Sequence, residues 1–239
     1  MREKIDRTGE IHITNEGYPV KIIDGTNRKK CIIQFENGHI KYDINYSNII
    51  AGKVSNPYHP SVYKTGYEGF GKYTFLNSPR IKVLWDSIFA RCFNNKKNPS
   101  YVDCNISEEW HNFQNFAKWY EQNWKPHMTG WHLDKDVLIR GNKLYSSNSC
   151  CFIPLEINCV FVVPPNRDLP QGVYVSGKKY RAKFGKDYNE YFDILEDAVS
   201  AYNEQREKHI KKLADEWKPL IEPEVYQAMY NYTVDYENI

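Results

Sequence analysis

The sequence predicts an α+β fold built from small modules, on three observations. Short β-branched runs separated by Gly and Asn turns fill residues 17–54, aromatic residues recur at helical spacing between 79 and 123, and alternating strand patterns from Gly172 lead into a long helical segment after Asp193. The expected architecture is a small N-terminal β-barrel or meander, a helical core, and a C-terminal three-stranded antiparallel sheet packed on a helix. A chain of 239 residues has room for two or three small domains. Breaks in composition divide it into segments 1–70, 71–165, 166–218 and 219–239.

Aromatic residues make up 15% of the chain, which is enough apolar mass for folded cores. The net charge of +2 is small, but it is unevenly placed. Lys72–Lys97 holds six basic residues against one acidic, Lys178–Lys186 five against none, and Asp215–Ile239 one against six. Basic stretches of this kind direct attention to a polyanionic partner. The six cysteines include no Cys-x-x-Cys pair, so reduced thiols are expected. With neither a secretion signal nor a long apolar run in view, a soluble cytoplasmic protein with no membrane contact is expected.

In chain order, Val20–Ile23, Cys31–Phe35 and Ile40–Ile44 read as strands, with turns at Asp24-Gly25 and Glu36-Asn37-Gly38. This module suits docking to nucleic acid or protein, or a structural role. Asn56–Pro60 and Gly66–Gly71 read as linker, with glycines that would let a phosphate approach the backbone. Ser78-Pro79 opens a helix whose buried face is Ile81, Leu84, Trp85, Ile88, Phe89 and Cys92. A second helix is expected from Glu108 to Asn123, capped by Ser107, with Trp110, Phe113, Phe116, Ala117 and Tyr120 on its apolar face.

The stretch Trp131-His132-Leu133-Asp134-Lys135-Asp136, then Gly141-Asn142-Lys143, then Cys150-Cys151-Phe152-Ile153-Pro154 leading to Asn158, resembles the ββα-metal core of HNH endonucleases. It is most similar to the phage-encoded branch, and the resemblance spans about Lys72 to Pro164. It implies that Asp134 and Asn158 hold one divalent ion, Mg²⁺ or Mn²⁺, and that Asn142 orients the catalytic base. The pattern departs at the base itself, where Lys135 replaces histidine. A lysine between two carboxylates stays protonated, which leaves it to bind phosphate or to pair with its neighbours. His132 shares a strand face with Asp134 and is the substitute base, while Asp136 is a further candidate ligand. The remaining histidines, His12, His39, His59, His111, His127 and His209, show no ligand spacing.

After the breaker-rich residues 163–170, Gly172–Phe184 reads as a hairpin turned at Ser176-Gly177. Lys179, Arg181 and Lys183 share one face of its second strand, and Tyr180, Ala182 and Phe184 share the other. A third strand, Tyr188–Phe192, precedes the helix. With Gly-Val, Tyr-Arg-Ala, Phe-Asp and Ala-x-x-Ala-Tyr in order, Gly172–Ala214 is similar to the Apetala-two DNA-binding domain. The resemblance implies phosphate contacts from Lys178, Lys179, Arg181 and Lys183, a base-edge contact from Arg181 and stacking by Tyr174. Asn189-Glu190-Tyr191 departs from the pattern, and Glu190 is expected to weaken the surface. The acidic, Tyr-rich residues after Pro219 are read as a tail that folds back on the basic surface or meets a partner.

These readings converge on a phage-type DNA-binding protein, acting as an HNH endonuclease or nickase if metal and base are retained. The rival is an inactive HNH-like protein that grips nucleic acid or a host defence or regulatory protein.

Overall fold

The computed structural model describes residues 5–94, 99–162 and 168–234. The chain forms two compact units, Met1–Pro99 with Glu108–Lys118, and Ser100–Ser107 with Trp119–Ile239.

The first unit opens with four antiparallel strands in sequential order, β1 (Ile11–Ile13), β2 (Pro19–Asp24), β3 (Cys31–Phe35) and β4 (Ile40–Ile44). Of the two expected forms it is the meander, an open sheet. Strand alternation sends Val20, Ile22, Cys31, Ile33 and Phe35 to one face, where they bury with Ile49 and Val54. Ile49 comes from α1 (Tyr46–Ile50), whose cap Asn45 accepts the Ser47 N–H. The three-residue β1 was not anticipated, since it is too short to show a period.

Helix α2 (Pro79–Phe93) buries Ile81, Trp85, Ile88, Phe89 and Cys92 as the spacing requires, with Leu84 half-buried. Ser78 does not cap it through its side chain. Its hydroxyl turns to Asn77 Oδ1 instead, at 2.8 Å. The single helix expected over Glu108–Asn123 is two, α3 (Glu108–His111) and α4 (Phe113–Asn123). The break at Asn112 has a long-range cause. Tyr67 takes both neighbouring backbone groups, accepting from Phe113 N–H and donating to His111 O at 2.9 Å each. Asn112 Oδ1 then receives the Gln114 N–H at 3.0 Å and starts the new helix. Ser107 is no cap either, because its hydroxyl is buried without a partner.

In the second unit β5 (Asn105–Ile106) pairs in parallel with β7 (Leu144–Tyr145). β6 (His132–Asp134) pairs antiparallel with β8 (Cys151–Ile153), placing Asp134 opposite Cys151, and α5 (Leu155–Phe161) follows directly. The C-terminal sheet has β10 (Lys179–Phe184) between β9 (Val173–Ser176) and β11 (Tyr188–Phe192). Its apolar face packs on α6 (Leu195–Trp217), with Val173 and Ala182 buried against Ala198, Val199 and Tyr202. The β9–β10 turn carries Gly177 at φ +63°, the first central position of a tight hairpin.

The distal half of α6 belongs to a different core. Ile210, Leu213 and Ala214 bury with Cys151, Ile153 and Ile157, and with Ile221, Val225 and Met229. Val225 and Met229 lie on α7 (Pro223–Tyr230), so residues 219–230 form a folded element of this core. Arg140 Nη1 donates to Thr233 O at 2.7 Å and ties the chain beyond α7 to the loop after β6. All six cysteines are free thiols. Among the described residues no helix is long and apolar enough to cross a membrane.

Candidate nucleic-acid interface and metal centre

Because one face of the C-terminal sheet is spent on α6, the other is left to solvent. Register fixes its content. Arg181 stands opposite Tyr174 on β9 and Tyr191 on β11, and Lys183 stands opposite Asn189. The Arg181 guanidinium lies 5.3 Å from the Tyr174 ring centroid, a cation–π arrangement that narrows its rotamers. Its Nε is buried without a hydrogen-bond partner. Lys183 is exposed on the same face, and Lys178 is exposed in the hairpin turn. Lys179 makes a 3.1 Å ion pair with Asp193, with both side chains mostly in water, so the pair holds it weakly.

Glu190 corrects the expectation. It pairs with Ala182, whose side chain is buried on the helix side, so Glu190 also points away from the cationic face. There its carboxylate accepts from Tyr188 Oη at 3.0 Å. Burial, and then this bond to a carboxylate, push the Tyr188 phenol up to about 12. Tyr191 was missed as a surface residue. Counting alternate positions from the buried-side Tyr188 and Phe192 would have placed it.

The second candidate site lies at the end of β6. Leu133 is buried, His132 exposed and Asp134 half-buried, so His132 and Asp134 share the face opposite Leu133. Asp134 Oδ1 accepts two backbone N–H groups, from Asp136 at 2.9 Å and Val137 at 2.7 Å, and thereby shapes the turn leaving the strand. Burial, and next the charge of Asp136, raise its carboxyl above the ordinary carboxylate range.

Lys135 is buried, with Nζ 2.9 Å from Asn142 O and 3.1 Å from Asp136 Oδ2. Asn142 closes the same loop from the other side. Its amide donates to Lys135 O at 2.6 Å and Leu144 O at 2.7 Å, and its Oδ1 accepts from Leu144 N–H at 3.1 Å. Both residues are thus committed to holding the 135–144 loop together. Asn158 sits half-buried on α5, its backbone N–H bonded to Pro154 O.

Among the described residues no group of three or more His, Cys, Asp or Glu comes together as a metal cage. The expected donors are the Asp134 carboxylate at the end of β6 and the Asn158 amide oxygen on α5, while Asp136, close to Asp134 in the chain, is paired with Lys135. Such a sparse oxygen set fits a hard cation that keeps most of its water, as Mg²⁺ does. No family model, curated protein or solved structure matches the chain.

Proposed function

We propose that the chain is a DNA-binding protein of the phage HNH type that holds duplex DNA on the solvent face of its C-terminal sheet. The observation that carries this reading is the cross-strand row Tyr174–Arg181–Tyr191 beside Lys183, on a sheet whose opposite face is consumed by α6. Lysines at the edge of the row supply sequence-independent phosphate contacts, while an arginine steadied by an aromatic ring reaches a base edge. The test is a salt-dependent titration on duplex DNA. Lys183→Ala should weaken binding and flatten the dependence on salt, whereas Arg181→Ala should weaken it roughly tenfold. Unchanged affinity in both variants would remove the sheet from consideration.

Hydrolysis is a second reading, favoured by the raised Asp134 carboxyl beside Asp136, a condition that a cation relieves. Asp134 and Asn158 would hold a divalent ion, which when bound stabilises charge on a phosphate and its leaving oxygen. His132, exposed on the same strand face as Asp134, is the group that would take a proton from water. Lys135 and Asn142 serve as positioning residues for the loop. Mg²⁺- or Mn²⁺-dependent nicking of plasmid DNA, lost in Asp134→Ala and slowed in His132→Ala, is the expected result. Binding without nicking would leave the rival, a non-cutting protein that grips DNA or a host defence or regulatory protein.

A further inference from the structure

We propose that Asn189 reads an adenine in the duplex held by the C-terminal sheet, within two base pairs of a guanine taken by Arg181; the inference rests on the DNA-binding reading of that face. Asn189 stands on β11 opposite Lys183, two positions before Tyr191, and so shares the solvent face with Lys183, Arg181 and Tyr191. Lys183 gives its backbone N–H to Gly172 O, on the side away from β11. Lys183 and Asn189 are therefore a non-hydrogen-bonded cross-strand pair, the kind that brings side chains closest together. Both are exposed, and among the described residues neither the Asn189 amide nor Lys183 Nζ has a partner.

A side-chain amide carries a donor and an acceptor side by side. In the major groove adenine presents the matching pair, N7 to accept from the amide nitrogen and the N6 amino group to donate to its oxygen. Arginine, which only donates, matches guanine O6 and N7 instead. Because Arg181 stands opposite Tyr191, Asn189 is its diagonal neighbour, a separation of about 7–8 Å. Stacked base pairs lie about 3.4 Å apart, so that diagonal spans about two steps of the duplex. Lys183 beside the amide is placed for a phosphate. The acidic residues nearby do not oppose this: Asp193 is paired with Lys179, Glu190 is bonded to Tyr188 on the helix side, and Asp187 belongs to the β10–β11 turn, next to Lys186 in the chain.

The experiment is binding of the full chain to a pool of duplexes with eight randomised central base pairs, sequencing of the retained fraction, and fluorescence anisotropy on single labelled duplexes. The Asn189 side chain is exposed and bonds nothing, so its variants should fold as wild type, which thermal melts check. Wild type should retain duplexes with an adenine within two base pairs of a guanine. Asn189→Ala should keep the guanine, lose the adenine and bind the preferred duplex roughly tenfold more weakly, with less than about twofold change on a duplex lacking that adenine. Asn189→Gln should keep the adenine, and Asn189→Asp, which only accepts, should turn that position to cytosine. A merely structural role would not exchange one base for another. Unaltered sequence preference in Asn189→Ala overturns the proposal, as does equal weakening on every duplex, the mark of a phosphate contact. Retention of the pool unchanged in both Arg181→Ala and Lys183→Ala would instead remove the whole face, and this proposal with it, a failure that shows apart from any effect at Asn189.

Discussion

On the proposed HNH reading Lys135 stands where the catalytic base would, so replacing it with methionine separates structure from chemistry. The residue is 7% exposed, and its ammonium makes a charged hydrogen bond to Asn142 O. Such a bond is worth about 1.5–3 kcal/mol. The Asp136 contact adds at most about 0.5 kcal/mol, because that carboxylate is half in water. Methionine has similar length, and burying its apolar end without an ammonium to desolvate returns about 1 kcal/mol. Lys135→Met should therefore lower stability by about 1–2 kcal/mol, and Asp136→Asn by less than about 0.5 kcal/mol. Urea unfolding followed by tryptophan fluorescence reads both. A Lys135→Met protein with an unchanged midpoint that has nevertheless lost DNA cleavage or binding would refute the reasoning, and would place the ammonium in the chemistry.

Asp134→Asn should stabilise the protein at neutral pH, since the amide oxygen can still accept from Asp136 and Val137 while the penalty on the charged form is removed. A carboxyl raised by folding binds protons more readily in the folded state, so its contribution to stability falls as pH rises from the ordinary carboxylate value through the folded one. The gain should accordingly vanish in acid below that window, and thermal melts across pH test the sign. Mg²⁺ should raise the melting temperature of wild type and not of Asp134→Asn. Glu190→Gln should change duplex affinity by less than about twofold, whereas Tyr191→Ala should weaken it by about fivefold; anisotropy titrations decide. Gly172 sits at φ +77°, and an added Cβ would run into the Tyr202 ring. Gly172→Ala should thus cost roughly 3 kcal/mol and release the C-terminal sheet, visible as lost amide protection in β9 and β10.

β-Branched and aromatic runs bounded by turn residues made β2, β3, β4, β10 and β11 legible, with burial alternating along β2 and β3. The same holds for α2, where six apolar positions repeat along fifteen residues. Features decided by distant partners were not legible. Asn112 breaks a plausible helix only because Tyr67 bonds to both sides of it, and β5 exists only because β7 arrives beside it. Ser78 holds the N-cap position with Pro79 in the first turn as the sequence implies, but its hydroxyl bonds Asn77 rather than the helix, and the Ser107 hydroxyl is buried without a partner. The cationic face could be read from β10 alone, and alternation along β11 places Tyr191 on one face of its strand, but that this face adjoins Arg181 needed the register. The fate of Lys135 depended on the carbonyl of Asn142, seven residues on, which no pattern of residue types reveals.

Helix α6 gives the two candidate sites of the second unit a common support. Its first turns bury Ala198, Val199 and Tyr202 under the C-terminal sheet, and its later turns bury Ile210, Leu213 and Ala214 against β8, α5 and α7. Arg206, between these groups, is itself buried and donates to Val160 O at 3.0 Å, where α5 ends. A continuous helix of 23 residues with side chains fixed in both cores resists bending, unlike a flexible tether. On the proposed reading, DNA gripped by Arg181 and Lys183 would be presented to Asp134 and His132 in one set orientation. Specificity of binding and position of any cut would then be coupled through α6, and a change in either core would disturb both.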